Sequence, residues 1–365
     1  MFLTHLELKH FRCFSQATLE LGYPWVLIEG DNGSGKTSLL EALHYLCYLR
    51  SFRTYSPRDL MQFGHDSFFI KAQFTPSPVD SSSTAVQVGF TGKRRLVKVN
   101  QQTVCSYKEL MDHYRIVTVT EDDVALINGA PEGRRAFLDQ AGVLHDPDFL
   151  AVLKQFRRVL ESRAALLGRG AVDRESYDLW TAQLWQISCA IQERRRALLA
   201  QLQEHTNQLL AQHFDQTVRI TLRYEPKKMK PGESYEDFTY TNIDLFADEM
   251  RFRRSLFGAH LDDVAIQFQD KRSKGFASRG QQKLIVVLLK IAHLKELVTH
   301  RGPAVFLLDD FMTDFDATRI EKILAILDGL SCQRIFTIPV TKGFLTDALV
   351  ARGAYRVDLF NKNSN

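Results

Sequence analysis

The sequence predicts an α/β fold split by a mostly α-helical insertion, and three observations predict it. "PWVLIEG" is continuously apolar, as a strand buried on both faces of a parallel sheet is, and it leads through a glycine-rich turn into the helical spacing of "KTSLLEALHYLCYL". A second buried run, "AVFLLDDF", closes far downstream on two carboxylates, Asp309 and Asp310. Between Gly133 and Phe214 almost every residue follows helical periodicity instead.

The chain of 365 residues has room for two domains, or for one domain with a large insertion. Its 45% hydrophobic and 25% charged content excludes disordered and fibrous classes. A net charge of +4 is compatible with a polyanionic partner without requiring one. Five cysteines (Cys13, Cys47, Cys105, Cys189 and Cys332) are scattered without a C-x-x-C spacing. That pattern argues against a disulfide framework or a zinc site and fits a reducing cytoplasm. "MFLTHLELKHF" carries charges where a signal peptide needs an apolar core, and no apolar run approaches membrane-spanning length. The expected location is cytoplasmic, with no membrane partner.

Taken in order, "FLTHLELKHFRCFSQATLEL" alternates in two short runs around Arg12 and Cys13, which predicts a hairpin. "FFIKAQF", "AVQVGF" and "RLVKVN", from about Ser67 to Val104, form a second sheet-like region, with "TPSPVDSSST" as a surface loop. "YRIVTVT" is a further strand. In the insertion, Leu184, Ile187, Ile191, Leu198, Leu202 and Leu209 recur at three-four spacing, with a break near "GRGAVDRES". Two antiparallel helices of about forty residues would account for it. "VRITLRYEP" returns to strand, "KKMKPGESYED" is a polar loop, and "PAVFLLDDF", "QRIFTIPV" and "AYRVDLF" restore the α/β pattern. The expected division is 1–125, 126–250 for the insertion or short arm, and 251–365.

"GDNGSGKTS" fits G-x-x-x-x-G-K-[ST] at Gly30, Gly35, Lys36 and Thr37, between a buried strand and a helix. The chemistry requires these residue types. Glycines, with Asp31, Asn32, Gly33, Ser34 and Ser38 completing the loop, let backbone N–H groups turn toward phosphate oxygens, and the helix adds its positive end. Lys36 supplies charge to the β- and γ-phosphates of ATP, and the Thr37 hydroxyl is a ligand for Mg²⁺. Asp309 is placed to hold Mg²⁺ as the acid closing a second buried strand, and Asp310 to polarise an attacking water. Lys36 and Asp310 are thus the candidate catalytic pair. Successive strand residues face opposite ways, so the two acids share a role only if the strand has already ended.

"FASRGQQKL" reads in two ways. Ser278 is a helix cap ahead of "KLIVVLLKIAHLKEL". Ser278, Arg279, Gly280 and Gln281 also match the serine-glycine-glutamine signature with which ABC-type ATPases bind the γ-phosphate held by another protomer. A hydroxyl, free amides and a helix dipole aimed at an anion are the physical basis of both.

With these three motifs in order, the sequence resembles the RecF family of SMC-like ATPases nearly end to end. The resemblance includes "LELKHFRCF", "RSFRT", "GAPEGRRAFLD", "FGAHLDD", "ASRGQQK", "FLLDDF" and "TDFD". The gap between the half-motifs is too short for the long coiled-coil arms of SMC proteins, which also suits this family. Ala259 and Leu261 depart from the family's usual proline and arginine, and "TEDD" lacks its usual proline. "RIFTIPV" lacks the histidine many ABC ATPases use to sense the γ-phosphate, and Thr337 is the nearest polar residue.

The resemblance implies an ABC/SMC-type P-loop ATPase head with a short arm, and adds Arg12 to the ATP-binding set. It implies a slow, DNA-stimulated ATPase that binds single-stranded DNA and junctions or gaps in duplex as an ATP-bound homodimer. It also implies recombinase loading, a part in the SOS response, and RecR and RecO as partners. Basic groups available for DNA are Arg157, Arg158, Arg194, Arg195 and Arg196 in the insertion and Lys227, Lys228 and Lys230 after it, although "ERRR" also reads as a solvated helix face. A transporter-type ABC cassette and an interaction scaffold with a weakly active site are the alternatives. DNA-stimulated turnover would separate the first reading from both.

Overall fold

The computed structural model describes residues 1–77, 80, 82–104, 107–169, 172–340 and 343–359. Cys105, parts of the 75–84 loop and residues 170–171 of the insertion's break lie outside these. The strands are β1 (Phe2–Phe11), β2 (Phe14–Glu20), β3 (Trp25–Glu29), β4 (Phe68–Thr75), β5 (Thr84–Phe90), β6 (Arg95–Val99), β7 (Gln102–Thr103), β8 (Ile116–Val119), β9 (Ile220–Glu225), β10 (Asp263–Phe268), β11 (Lys271–Arg272), β12 (Ala304–Asp309), β13 (Cys332–Ile338) and β14 (Tyr355–Asp358). They fall into two compact units, one of Met1–Asp123 with Lys290–Asn365 and the other of Val124–Leu289. Residues 251–289 group with the insertion.

The first unit contains a parallel sheet, β14-β3-β13-β12-β8. Every residue of β3, β12 and β13 is buried; the apolar runs of β3 and β12 require this of strands covered on both faces, and β13 adds Ile335, Phe336 and Ile338 while burying Gln333, Arg334 and Thr337. Its second sheet, β2-β1-β4-β5-β6-β7, is antiparallel. The opening hairpin and the strands after Ser67, expected as separate regions, are therefore one sheet. β4 pairs with the free edge of β1, setting Leu8 opposite Ile70 and Leu6 opposite Ala72 on one fully buried face. The buried amide of Gln333 ties the two sheets together. Its Oε1 accepts from Leu3 N at 2.8 Å, and its Nε2 donates to the carbonyls of Leu3, Leu21 and Tyr23.

In the second unit, the expected pair of forty-residue helices is one helix of 40 residues, Arg174–His213, with the shorter helices Pro131–His145 and Phe149–Leu167. Pro147 causes the break. The residue before a proline is pushed to extended backbone, and Asp146 adopts φ −130° and ψ 95° while its Oδ1 accepts from Asp148 N at 3.0 Å. The long helix starts at Asp173, whose side chain accepts from Ser176 N at 2.7 Å, and the six apolar residues spaced along it are all buried. It runs antiparallel to Phe149–Leu167, since Arg163 bonds Thr181 while Arg194 lies over the ring of Phe149.

Arg163 is completely buried. It pairs with Glu249 and donates to Ser255 Oγ at 3.0 Å and Thr181 Oγ1 at 2.7 Å. Glu249 also accepts from Tyr177 Oη and Leu256 N, both at 2.7 Å. A three-stranded sheet, β11-β10-β9, completes this unit. No described helix is long and apolar enough to cross a membrane. Cys13, Cys47, Cys189 and Cys332 carry free thiols.

Candidate nucleotide site

The carboxyl ends of β3, β13 and β12 lie side by side, where open parallel sheets build their ligand sites. After β3 the chain turns at Gly30, where a Cβ would come within 2.3 Å of Ser34 Oγ. It then passes Gly35 at φ 101°, a backbone that glycine alone adopts without strain. A Cβ at Gly35 would also meet Cys13 Sγ at 2.7 Å and Phe14 Cζ at 2.6 Å, so the β1–β2 turn presses directly on the loop. Helix Lys36–Tyr48 begins there with no side-chain cap and no acid in its first turn, which leaves its positive end available to an anion.

Lys36 is 5% exposed, and its Nζ donates to the carbonyls of Gly30 at 2.8 Å and Asp31 at 3.2 Å, drawing the loop around itself. Asp31, Asn32 and Gly33 are exposed at the rim, and Ser38 is turned to the Cys13 thiol. Thr37 Oγ1 donates to Asp309 Oδ1 at 3.1 Å. β12 ends at Asp309, and Asp310 takes φ 51°, so it escapes strand alternation and both carboxylates meet the loop. Asp310 Oδ2 lies 3.9 Å from Lys36 Nζ. Burial raises both carboxyl groups above the ordinary Asp value; hydrogen bonds from Thr337 and Thr37 oppose this at Asp309, and the charge of Lys36 opposes it at Asp310.

Two buried oxygens in this cradle, Ser34 Oγ and Asp310 Oδ1, lack a hydrogen-bond partner among the described residues. Leaving such groups unsatisfied costs about 1–3 kcal/mol each, which a phosphate ligand with its ordered water would offset. Thr37 Oγ1 and Asp309 Oδ1 are hard oxygen donors, and that donor set suits Mg²⁺.

Two residues that organise the site were not legible as such. Thr337, at the carboxyl end of β13, donates to Asp309 Oδ1 at 2.8 Å and accepts from Asp310 N at 3.1 Å. A single hydroxyl thus fixes both acids, and the only sequence signal was a polar residue closing an apolar strand. Glu41, completely buried in the loop's helix, accepts Arg12 Nε at 2.8 Å and Nη2 at 2.7 Å, and also bonds the hydroxyl of Ser51. Arg12 Nη1 goes to the Asp59 carbonyl at 2.6 Å. Arg12, expected among the nucleotide ligands, has these donors committed to positioning the helix; its left-handed backbone at φ 51° aims it there.

In the second unit, Ser278 Oγ accepts from Gln281 N at 3.3 Å while Gln281 Oε1 accepts from Ser278 N at 2.8 Å, a reciprocal cap for helix Arg279–Arg301. Ser278 and Arg279 are exposed, and Gly280 and Gln281 are half-buried. Of the expected DNA contacts, Arg194, Lys227 and Lys228 are exposed and Arg196 is half-buried. Arg195 is a correction: it is 3% exposed and grips Asp139 through Nε at 2.8 Å and Nη2 at 2.9 Å, with the Ala259 carbonyl at 2.7 Å. Its charge is consumed within the insertion.

The family model for the RecF/RecN/SMC N terminal domain matches residues 2–362. The chain is 30% identical over 346 residues to the DNA replication and repair protein RecF of Chlorobium phaeobacteroides (strain BS1), covering 92% of this chain and 95% of that one. It is 28% identical to the protein of the same name from Geotalea daltonii (strain DSM 22248 / JCM 15807 / FRC-32), covering 98% of each. Among solved structures, the recombination mediator protein RecF-ATP superposes with a TM-score of 0.82 at 23% identity, covering 94% of each chain. An Smc head bound to the C-winged helix domain of ScpA superposes at 0.53 and 14% identity, covering 95% of this chain and 91% of the other. The fold is therefore that of an ABC/SMC-type head, and the chain belongs to the RecF family.

Proposed function

We propose that the chain is an ATP-controlled DNA-binding protein of replication and recombinational gap repair, an enzyme whose slow, DNA-stimulated ATP hydrolysis acts as a switch. The observation that carries this reading is the meeting of Lys36, Thr37, Asp309 and Asp310 around a glycine-rich loop with two unsatisfied buried oxygens. Gly30, Asp31, Asn32, Gly33, Ser34, Gly35 and Ser38 form the phosphate loop, Lys36 neutralises the β- and γ-phosphates, and Arg12, held by Glu41, belongs to the ATP-binding set. Thr37 and Asp309 would hold Mg²⁺, which when bound supplies positive charge to the phosphate oxygens. Asp310 orients the attacking water and Thr337 keeps both acids in place. Residues 1–125 and 251–365 act as the two halves of the head and 126–250 as its short arm.

In this reading two copies join through ATP, Ser278, Arg279, Gly280 and Gln281 of one facing the phosphates held by the other. The dimer binds single-strand/duplex junctions in the cytoplasm, works with RecR and RecO to load the recombinase and supports the SOS response, and hydrolysis releases it. The relatives' names as DNA replication and repair proteins, and the RecFOR pathway to which the solved RecF-ATP structure is assigned, support the class. Exposure of Ser278 and Arg279 supports the dimer. The reciprocal Ser278–Gln281 cap favours the plainer alternative, a helix start with no partner in trans.

Light scattering with Mg-ATP and with Mg-ADP, using Asp310→Asn to slow turnover, decides between these two. The expected result is a dimer in ATP and a monomer in ADP; a monomer in both, with DNA present as well, leaves the cap reading. Ser278→Arg is expected to bind ATP and stay monomeric. Ser278→Asn, which keeps a cap acceptor, controls for the roughly 0.5–2 kcal/mol of lost capping. Lys36→Ala is expected to weaken ATP about ten- to a hundredfold, the worth of one charged hydrogen bond of about 1.5–3 kcal/mol. Equal affinity in calorimetry would remove Lys36 from the site.

A further inference from the structure

The second unit holds a cleft of about 620 Å³. Lys227 and Lys228, from the loop after β9, line it together with Arg254 and His260, and Asp248 is the acid among its lining residues. The side chains of Lys227, Lys228 and Arg254 make no ion pair or hydrogen bond with the described residues. Three unpaired cations thus face one carboxylate. Leu160 and Leu261 contribute aliphatic wall, and low-dielectric walls around like charges concentrate the field within the concavity.

The loop that carries the lysines is anchored. Buried Asp262 accepts from Lys227 N at 2.9 Å, Tyr224 Oη at 2.7 Å and Gln192 Nε2 at 2.9 Å. The cations are therefore presented by a fixed backbone, which lowers the ordering cost of a ligand. His260 adds a second, independent sign: its Nδ1 is buried without a hydrogen-bond partner among the described residues. Burial, and then the charges of Arg135, Arg163 and Arg195, push it down to about 4, so near neutral pH it offers hydrogen bonding and no charge. The basic character also continues beyond the cleft. Arg157 is exposed, makes no ion pair with the described residues, and lies one helical turn before Leu160 on the same face. Positive charge spread over more than one turn suits a repeating anion better than a single phosphate group.

We propose that this cleft binds the phosphodiester backbone of a nucleic-acid strand, as a phosphate site separate from the loop around Lys36. The assignment rests on the DNA-binding reading above and gives it a location. Lysines supply point charges, Arg254 a planar fork, and the walls an apolar face against sugar or base.

The test is binding of fluorescein-labelled oligothymidylate, followed by anisotropy across a salt series. The proteins are the unsubstituted chain, Lys227→Ala/Lys228→Ala/Arg254→Ala and Asp248→Asn, each with calorimetry of ATP binding as a check on folding. The triple variant is expected to bind at least about tenfold more weakly and to lose about two from the slope of log K against log salt, at roughly 0.7 per phosphate released. Asp248→Asn is expected to tighten binding about twofold or more by removing the opposing charge, a gain that a misfolded variant does not produce.

Wild-type affinity and slope in the triple variant, with wild-type protein binding the oligonucleotide, would overturn the cleft alone. Absence of binding by wild-type protein in any nucleotide state would overturn the DNA reading as well. Saturable pyrophosphate binding to Lys36→Ala that the triple substitution abolishes, without any change in oligonucleotide affinity, would make the cleft a site for free phosphates and overturn the strand. Stronger cleft-dependent binding of oligoglutamate than of the oligonucleotide would reassign it to an acidic peptide.

Discussion

Asp310→Asn is expected to lower ATP turnover by about 10²–10⁴-fold, the usual worth of a positioned acid–base group, while leaving ATP affinity within a few fold. The asymmetry follows from geometry. Asn preserves shape, and the bond from Asp310 N to Thr337 Oγ1 that holds this turn involves the backbone and survives the change. Lost instead is the negative charge 3.9 Å from Lys36 Nζ, with the basic oxygen needed to draw a proton from water. Phosphate release measures the first quantity and calorimetry the second. Turnover at the wild-type rate would move the catalytic role to another acid. Loss of affinity in step with turnover would mean that Asp310 shapes the cradle instead of acting on the water.

Arg163→Ala is expected to destabilise the second unit by about 3–5 kcal/mol, the cost of stranding one member of a buried ion pair. Glu249 is completely buried, and its remaining donors, Tyr177 Oη and Leu256 N, satisfy its oxygens without neutralising its charge. Ser255 Oγ and Thr181 Oγ1 each lose the Arg163 donor at the same time. Arg163→Met with Glu249→Gln removes both charges and is expected to recover more than half of the loss. Urea denaturation followed by circular dichroism measures both variants. A loss under about 1 kcal/mol for Arg163→Ala, the range of an exposed pair, would show that water reaches the site.

The sequence made the parallel sheet legible because a strand covered on both faces has no polar side to conceal it, and β3 and β12 each read as an apolar run up to a closing acid. The glycine-rich loop was legible because only glycine tolerates the backbone at Gly35 and the contact with Cys13 and Phe14. Harder to see was anything whose meaning lies in a distant partner. Arg195 stands in "ERRR" between exposed Arg194 and half-buried Arg196, and only the helical rotation that points it at Asp139 separates it from them. Glu41 reads as an ordinary helical glutamate until Arg12 and Ser51 are brought to it from other elements. The length of the insertion's helices was misjudged for a local reason: Asp146-Pro147-Asp148 stops a helix without interrupting the apolar count that follows.

The order of strands in the parallel sheet also dictates an order of events on the ribosome. β3 and β8 are made early, yet they are not neighbours; β13 and β12 stand between them, and both come after Ala304. While residues 124–289 are being synthesised, "WVLI" and "IVTV" wait with no native strand to pair with, in the state that most favours misassociation of nascent chains. The second unit is contiguous and has all its residues before the first has three of the five strands of this sheet. A premature stop between Val119 and Ala304 therefore yields a polypeptide that still carries the complete glycine-rich loop in its sequence and has no acid, no Thr337 and no central strands with which to shape it.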